Sequence, residues 1–191
     1  MLSGSAENGG LSNSAASSRT PSLAIDSTGQ PVVAWVELNA NGTSDIWAAR
    51  YDGSAWAALG TSLGAAGLSG TGAARDPQVV IYNNTPVVTW VDASSGSAQV
   101  YAKQFTGGLW TALGAASGTG ISVTGSVRQM AAAASGTKLA VAWSSPAGGV
   151  DQISVREWSG TAWVNPGGLT ELSSAPDGAA NPALSWQGSQ L

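Results

Sequence analysis

The sequence predicts an all-β protein of the β-propeller type: four-stranded antiparallel blades, three complete plus a partial one, in an open arc rather than a closed ring. Three observations predict it. Pro31-Val32-Val33-Ala34-Trp35 returns as Pro86-Val87-Val88-Thr89-Trp90 and again as Leu139-Ala140-Val141-Ala142-Trp143, with the tryptophans 55 and 53 residues apart. An aromatic-x-Gly-x-x-Trp pattern runs from Tyr51 to Trp56, Phe105 to Trp110 and Trp158 to Trp163, at steps of 54 and 53. Arg19, Arg75 and Arg128 open the units at steps of 56 and 53. Repeats of this period that each hold several short strands are the mark of propeller blades.

The first unit shows how each element is justified. Ser22 to Ile25 is a short apolar stretch stopped by the turn residues Asp26-Ser27-Thr28-Gly29. Val32 to Val36 is a nearly continuous β-branched run holding Trp35, as a strand buried on both faces requires. The polar stretch Asn39 to Ser44 leads to a third strand, Ile46 to Tyr51. Asp52-Gly53 then predicts a tight hairpin turn, because this dipeptide suits two-residue loops. A fourth strand covers Ala55 to Leu59 and stops at Gly60. Across the hairpin Tyr51 and Trp56 are expected to meet. No segment carries a capped 3.6-residue apolar period, so helices are not expected.

The repeat divides the chain into a linker or remnant of a preceding blade at 1–18, blade 1 at 19–74, blade 2 at 75–127 and blade 3 at 128–179. The start of a fourth blade occupies 180–191, since Ala183 to Leu191 overlays Ala131 to Leu139 at a step of 52. One blade cannot bury both faces of its own sheet; neighbours must do so. Trp35, Trp90 and Trp143, with Trp56, Trp110 and Trp163, are therefore expected between blades. Further blades, from a longer chain or another subunit, are expected partners, because an open arc leaves sheet faces bare.

Composition excludes several functions. Of 191 residues, 43% are hydrophobic but only 9% charged, against about a quarter in typical domains. A net charge of −4, with lysine only at Lys103 and Lys138, argues against a nucleic-acid partner. With neither cysteine nor histidine, thiolate chemistry, the usual zinc sites and Ser-His-Asp triads are out. No acidic run has the spacing of a calcium loop, so neither metal nor cofactor is expected. No apolar run nears the ~20 residues of a membrane-spanning helix, so no membrane insertion is expected. The opening Met1-Leu2-Ser3-Gly4-Ser5 lacks the basic and apolar regions of a signal peptide.

Two stretches, Asp26-Ser27-Thr28-Gly29-Gln30-Pro31-Val32-Val33-Ala34-Trp35 and Tyr51-Asp52-Gly53-Ser54-Ala55-Trp56-Ala57-Ala58-Leu59-Gly60, resemble the repeats of bacterial secreted or surface β-propeller proteins. The likeness covers residues 19 to 191, and Ala131 to Ala134 thin the third unit. The chain is also similar, more distantly, to propeller lectins, which carry blade tryptophans. The resemblance implies a secreted or cell-surface location, and it brings no functional residues with it.

Candidate site residues come from topology. Arg19, Arg75 and Arg128 precede the first strands, Glu37 and Asp92 end the second, and Asp45 and Trp47 start the third. All are expected on one face of the disc, where propellers bind ligands. Trp47 and Tyr101 match each other, while the third unit has Ser154 there. The arginines alternatively pair with neighbouring acids or carbonyls to tie blades together, and the tryptophans alternatively fill the core. Nothing places two carboxylates across a cleft as glycoside hydrolysis needs, so no catalytic residue is assigned. The expectation is a non-enzymatic module binding a glycan or a protein. The alternatives are a purely structural repeat of a larger surface assembly and a fragment of a glycosidase-type propeller.

Overall fold

Short apolar runs, from the β-branched β2 to the alanine-rich β9, build twelve strands in this computed structural model, which describes residues 10–15, 17–114, 120–123, 125–168, 172–188 and 191. Blade 1 is β1 (Ser17–Ile25), β2 (Pro31–Leu38), β3 (Ser44–Tyr51) and β4 (Trp56–Ala58). Blade 2 is β5 (Ala74–Tyr82), β6 (Thr85–Asp92), β7 (Gln99–Thr106) and β8 (Leu109–Ala112). Blade 3 is β9 (Gln129–Ser135), β10 (Lys138–Ala147), β11 (Val150–Trp158) and β12 (Trp163–Val164). Each blade is one antiparallel sheet in chain order, and none of the three sheets closes on itself. A single 3-10 turn, Pro166–Gly168, follows β12. Of the opening linker expected at 1–18, residues 1–9 lie outside the described residues.

First strands meet one another, β1 against β5 and β5 against β9, so they form the inner edge of the arc. The strands extend beyond the apolar cores that announced them, because the flanking polar residues still pair. Ser17 faces Leu38, for example, and Ser18 faces Glu37. One expectation changes at the β3–β4 hairpin. Tyr51 pairs with Trp56, which leaves a four-residue loop rather than a two-residue turn at Asp52-Gly53. The Asp52 carboxylate accepts the amides of Ser54 and Ala55, both at 2.8 Å, and this cap favours the wider loop. In blade 2 Thr106 pairs with Leu109, and Gly107 and Gly108 take the positive φ of a true two-residue loop.

Packing follows the repeat. Trp35, Trp90 and Trp143 are each 3% exposed. Trp90, Val79 and Val88 of blade 2 share one cluster with Val32, Ala34 and Leu59 of blade 1. Trp143 and Leu139 of blade 3 likewise pack with Val87, Val91 and Leu113 of blade 2. The hairpin aromatics meet with ring centroids 5.7 Å apart for Tyr51–Trp56, 5.2 Å for Phe105–Trp110 and 5.5 Å for Trp158–Trp163. Burying each of these large side chains is worth a few kcal/mol, which is what turns separate sheets into a stack.

Candidate functional site

The charged residues singled out from the sequence sit at one end of the sheets, and most are used internally. Ser18 pairs with Glu37, and Glu37 with Asp45, at the same end of blade 1. Glu37 is 1% exposed; its carboxylate accepts the Trp35 indole N–H and the Ser18 hydroxyl, both at 2.8 Å, and the Ser14 hydroxyl. Asp92, also 1% exposed, repeats this in blade 2 with the Trp90 indole at 3.3 Å, the Ser94 amide at 2.9 Å and the Thr71 hydroxyl. In blade 3 Ser145 replaces the acid, and the buried Trp143 indole N–H has no partner. Asp45 accepts the Ser69 hydroxyl and the amides of Thr71 and Gly72, which pins the linker leaving blade 1.

The arginines occupy equivalent places but different roles. Arg19 and Arg75 face Val36 and Val91 on the neighbouring strand, and the Arg128 amide donates to the Ser144 carbonyl. Arg75 reaches blade 3, donating to the carbonyls of Val127 at 2.7 Å and Arg128 at 3.1 Å. Arg128 pairs with Asp151 at 2.8 Å, whereas Arg19 bonds only the nearby Ser17 hydroxyl, at 3.3 Å. Trp47 lies 6.3 Å from Trp35 and is overlaid by the Gly67 backbone; a Cβ on Gly67 would come within 2.5 Å of its ring. Tyr101 stacks on Trp90 at 6.0 Å. Both are half-buried pieces of packing rather than open platforms.

A feature that sequence reasoning passed over lies on the inner strands. In β1 the register slips between Arg19 and Ser22, so Thr20 and Pro21 bulge out of the ladder. In β5 it slips between Arg75 and Gln78, and Asp76 and Pro77 bulge in the same way. Proline fits a bulge because no ladder hydrogen bond is asked of its nitrogen. Thr20 (φ 46°) and Asp76 (φ 51°) take the left-handed conformation, which is costly for a β-branched threonine and tolerable for aspartate. Bulges re-aim side chains, and they concentrate beside active sites. Here the two bulges border a shallow groove of about 300 Å³ lined by Thr20, Pro21, Ser22, Asp76, Pro77 and Gln78.

The groove is held firmly. Ser22 accepts the Val79 amide at 3.0 Å, stapling β1 to β5. Gln78 donates to the Met130 carbonyl at 3.2 Å and accepts the Ala132 amide at 2.6 Å, stapling β5 to β9. Asp76, with 46% of its side chain exposed, pairs with the Arg75 guanidinium. Among the described residues it is the one carboxylate on the inner strands, since neither β1 nor β9 carries an acid. A half-exposed, ion-paired carboxylate on a rigid concave edge can accept a proton or orient a water. The available signal was the recurring Arg-x-Pro of Arg19-Thr20-Pro21 and Arg75-Asp76-Pro77 just ahead of the apolar stretch of each first strand. Among the described residues no group of three metal-ligating side chains comes together.

No family model matches the chain, and no curated protein matches it. Solved structures do. A thermostable family-43 glycoside hydrolase aligns with a TM-score of 0.52 at 11% identity, over 83% of this chain and 55% of that one. An endo-arabinase from Bacteroides thetaiotaomicron aligns at 0.50 and 17% identity, over 81% of this chain and 61% of that one. A member of the GH130 family, described as containing hydrolases that target β-1,2 mannosidic linkages in Candida mannan, aligns at 0.50 and 14% identity, over 78% and 48%. The chain thus spans about half the length of these structures. The fold they share is that of propeller glycosidases, and this chain is an open, partial propeller.

These comparisons correct two expectations. The non-enzymatic binding module, and the absence of catalysis that went with it, give way, because the solved structures that share the fold are glycoside hydrolases. The glycosidase-type fragment, the second of the two alternatives, is the reading they support. The sequence places no two carboxylates across a cleft, and the register slip that carries Asp76 within β5 is not visible in strand patterning.

Proposed function

We propose that this chain is three blades of a glycosidase-type propeller and that its inner-strand groove faces a glycan substrate. The observation that carries this reading is the left-handed bulge that sets Asp76 on the concave edge beside Arg75. Hydrolysis of a glycosidic bond uses two carboxylates, one protonating the leaving oxygen and the other acting as base or nucleophile. Paired with a guanidinium, Asp76 takes the proton-accepting role. The second carboxylate comes from the blades that complete the ring, because the inner strands β1 and β9 carry none. The fold's company favours arabinan or a β-1,2-linked mannan as the polymer class. Such substrates go with a secreted or cell-surface location, and the blade boundaries are those read from the repeat.

The test is release of reducing sugar from arabinan and from β-1,2-mannan by the protein with its ring complete, beside its Asp76→Asn variant. Release by the parent with a loss of about a hundredfold or more in the variant supports the reading. Equal release by both, or none by the parent, overturns it.

A further inference from the structure

Two polar clasps recur wherever one blade meets the next. Trp110 donates its indole N–H to the Leu59 carbonyl of blade 1 at 2.7 Å, and Trp163 donates to the Leu113 carbonyl of blade 2 at 2.9 Å. Lys103 donates to the Leu68 carbonyl at 2.7 Å, and Arg156 to the Ile121 carbonyl at 2.8 Å. In both clasps a side chain of the later blade reaches the backbone of the earlier one.

Blade 1 carries the first of these donors at the same repeat position, Trp56, while Ala49 stands where blades 2 and 3 have Lys103 and Arg156. Its Trp56 indole N–H is buried and has no hydrogen-bond partner among the described residues. The apolar half of the face agrees. Leu23 is 60% exposed, while its counterpart Val79 is 4% exposed against blade 1. Ile25 is 54% exposed, while its counterpart Ile81 packs into the blade 1–blade 2 cluster.

We infer that this face of blade 1 is a docking surface for one more blade of the same repeat, carried upstream on the same polypeptide, one of whose backbone carbonyls takes the Trp56 indole N–H. The path of the chain into blade 1 selects that source. Thr71, in the linker from blade 1 to blade 2, donates its hydroxyl to Asp92; Ser14 donates to Glu37 in the same manner. Leu11 and Ser12 line the cavity beside Trp35. Residues 11–15 thus enter blade 1 as residues 68–72 enter blade 2, and what precedes the latter is a blade. A second copy of the chain is a poorer occupant. The matching face of blade 3 looks across a cavity at Ala183, Leu184 and Ser185 of its own chain, and the adjacent Trp186 indole N–H donates to the Ala133 carbonyl of blade 3 at 3.2 Å. The inference rests on the repeat and its junctions, independently of any enzymatic activity.

The experiment compares the 191-residue chain with a version in which residues 19–67 are repeated directly ahead of Leu11. Indole N–H exchange is read by nitrogen-15 NMR of labelled tryptophan. Trp56 is expected to slow by about tenfold or more in the extended version, towards Trp110 and Trp163. Unchanged exchange at Trp56 in a folded extended chain overturns the inference. So does protection that appears in the unextended chain only as it dimerises, since that assigns the face to a second copy. Should the extended version not fold, the 191-residue chain still decides through binding of an anilinonaphthalene dye. Binding abolished by Leu23→Lys with Ile25→Lys supports an open apolar face, and no binding by the parent contradicts it.

Discussion

The Trp110 indole N–H donates to the Leu59 carbonyl across the boundary between blades 1 and 2, at 2.7 Å. The bond joins a β8 side chain to the backbone just beyond β4, and Trp163 repeats it one blade later. Trp110→Phe should keep most of the packing and lose the bond, costing about 1–2 kcal/mol through the orphaned carbonyl. Trp110→Ala should cost roughly 3–5 kcal/mol, as large aromatic deletions do. Urea unfolding of the three proteins checks the order, and equal stability of parent and Trp110→Phe would deny the clasp its role.

Glu37 and Asp92 should behave as structural acids. Each accepts an indole N–H and a hydroxyl in a buried place. Replacing either with alanine strands those donors and should cost about 2–3 kcal/mol, with no need for a ligand to see it. Thermal or urea unfolding measures this directly. A fully stable Glu37→Ala protein would return Glu37 to the list of candidate ligand-binding groups.

Asp52 supplies an acid-linked feature. The Ala55 amide, the Ser54 amide and the Ser54 hydroxyl hold its carboxyl down, from 3.8 to about 2. A carboxyl depressed on folding contributes stability above its unfolded value and loses it as pH falls through its folded value. The Asp52 contribution is therefore present above about pH 4 and disappears towards about pH 2. A carbon-13 titration of the carboxyl should give a midpoint near 2, and Asp52→Ala should flatten the acid limb of stability across that window. A midpoint at the ordinary value of 3.8 would show that the cap does not form.

The fold was legible because its landmarks are local and repeated. Trp35, Trp90 and Trp143 recur in apolar runs, and their burial follows from stacking. The aromatic-x-Gly-x-x-Trp pairs meet because a hairpin sets their partners within a few residues. The fate of Glu37, Asp45 and Asp92 was not legible, since it depends on linker residues such as Ser14, Ser69 and Thr71 that come from elsewhere in the chain. Asp76 was hidden for a different reason. Directly after Arg75 it falls ahead of the strand expected from the sequence, and the slipped register within β5 sets it at the groove. A proline following it by one residue was the local sign.

The central claim is that the glycan meets this protein at the inner-strand bulges. The most direct measurement is a crystal structure of the Asp76→Asn protein with its ring complete, soaked with an arabino-oligosaccharide and, separately, with a β-1,2-mannobiose. The account predicts sugar density in the groove between Thr20 and Gln78, with a ring oxygen or hydroxyl within hydrogen-bond reach of residue 76. Sugar seated instead on the outer strands against Trp47 and Tyr101, with the groove empty, would contradict it.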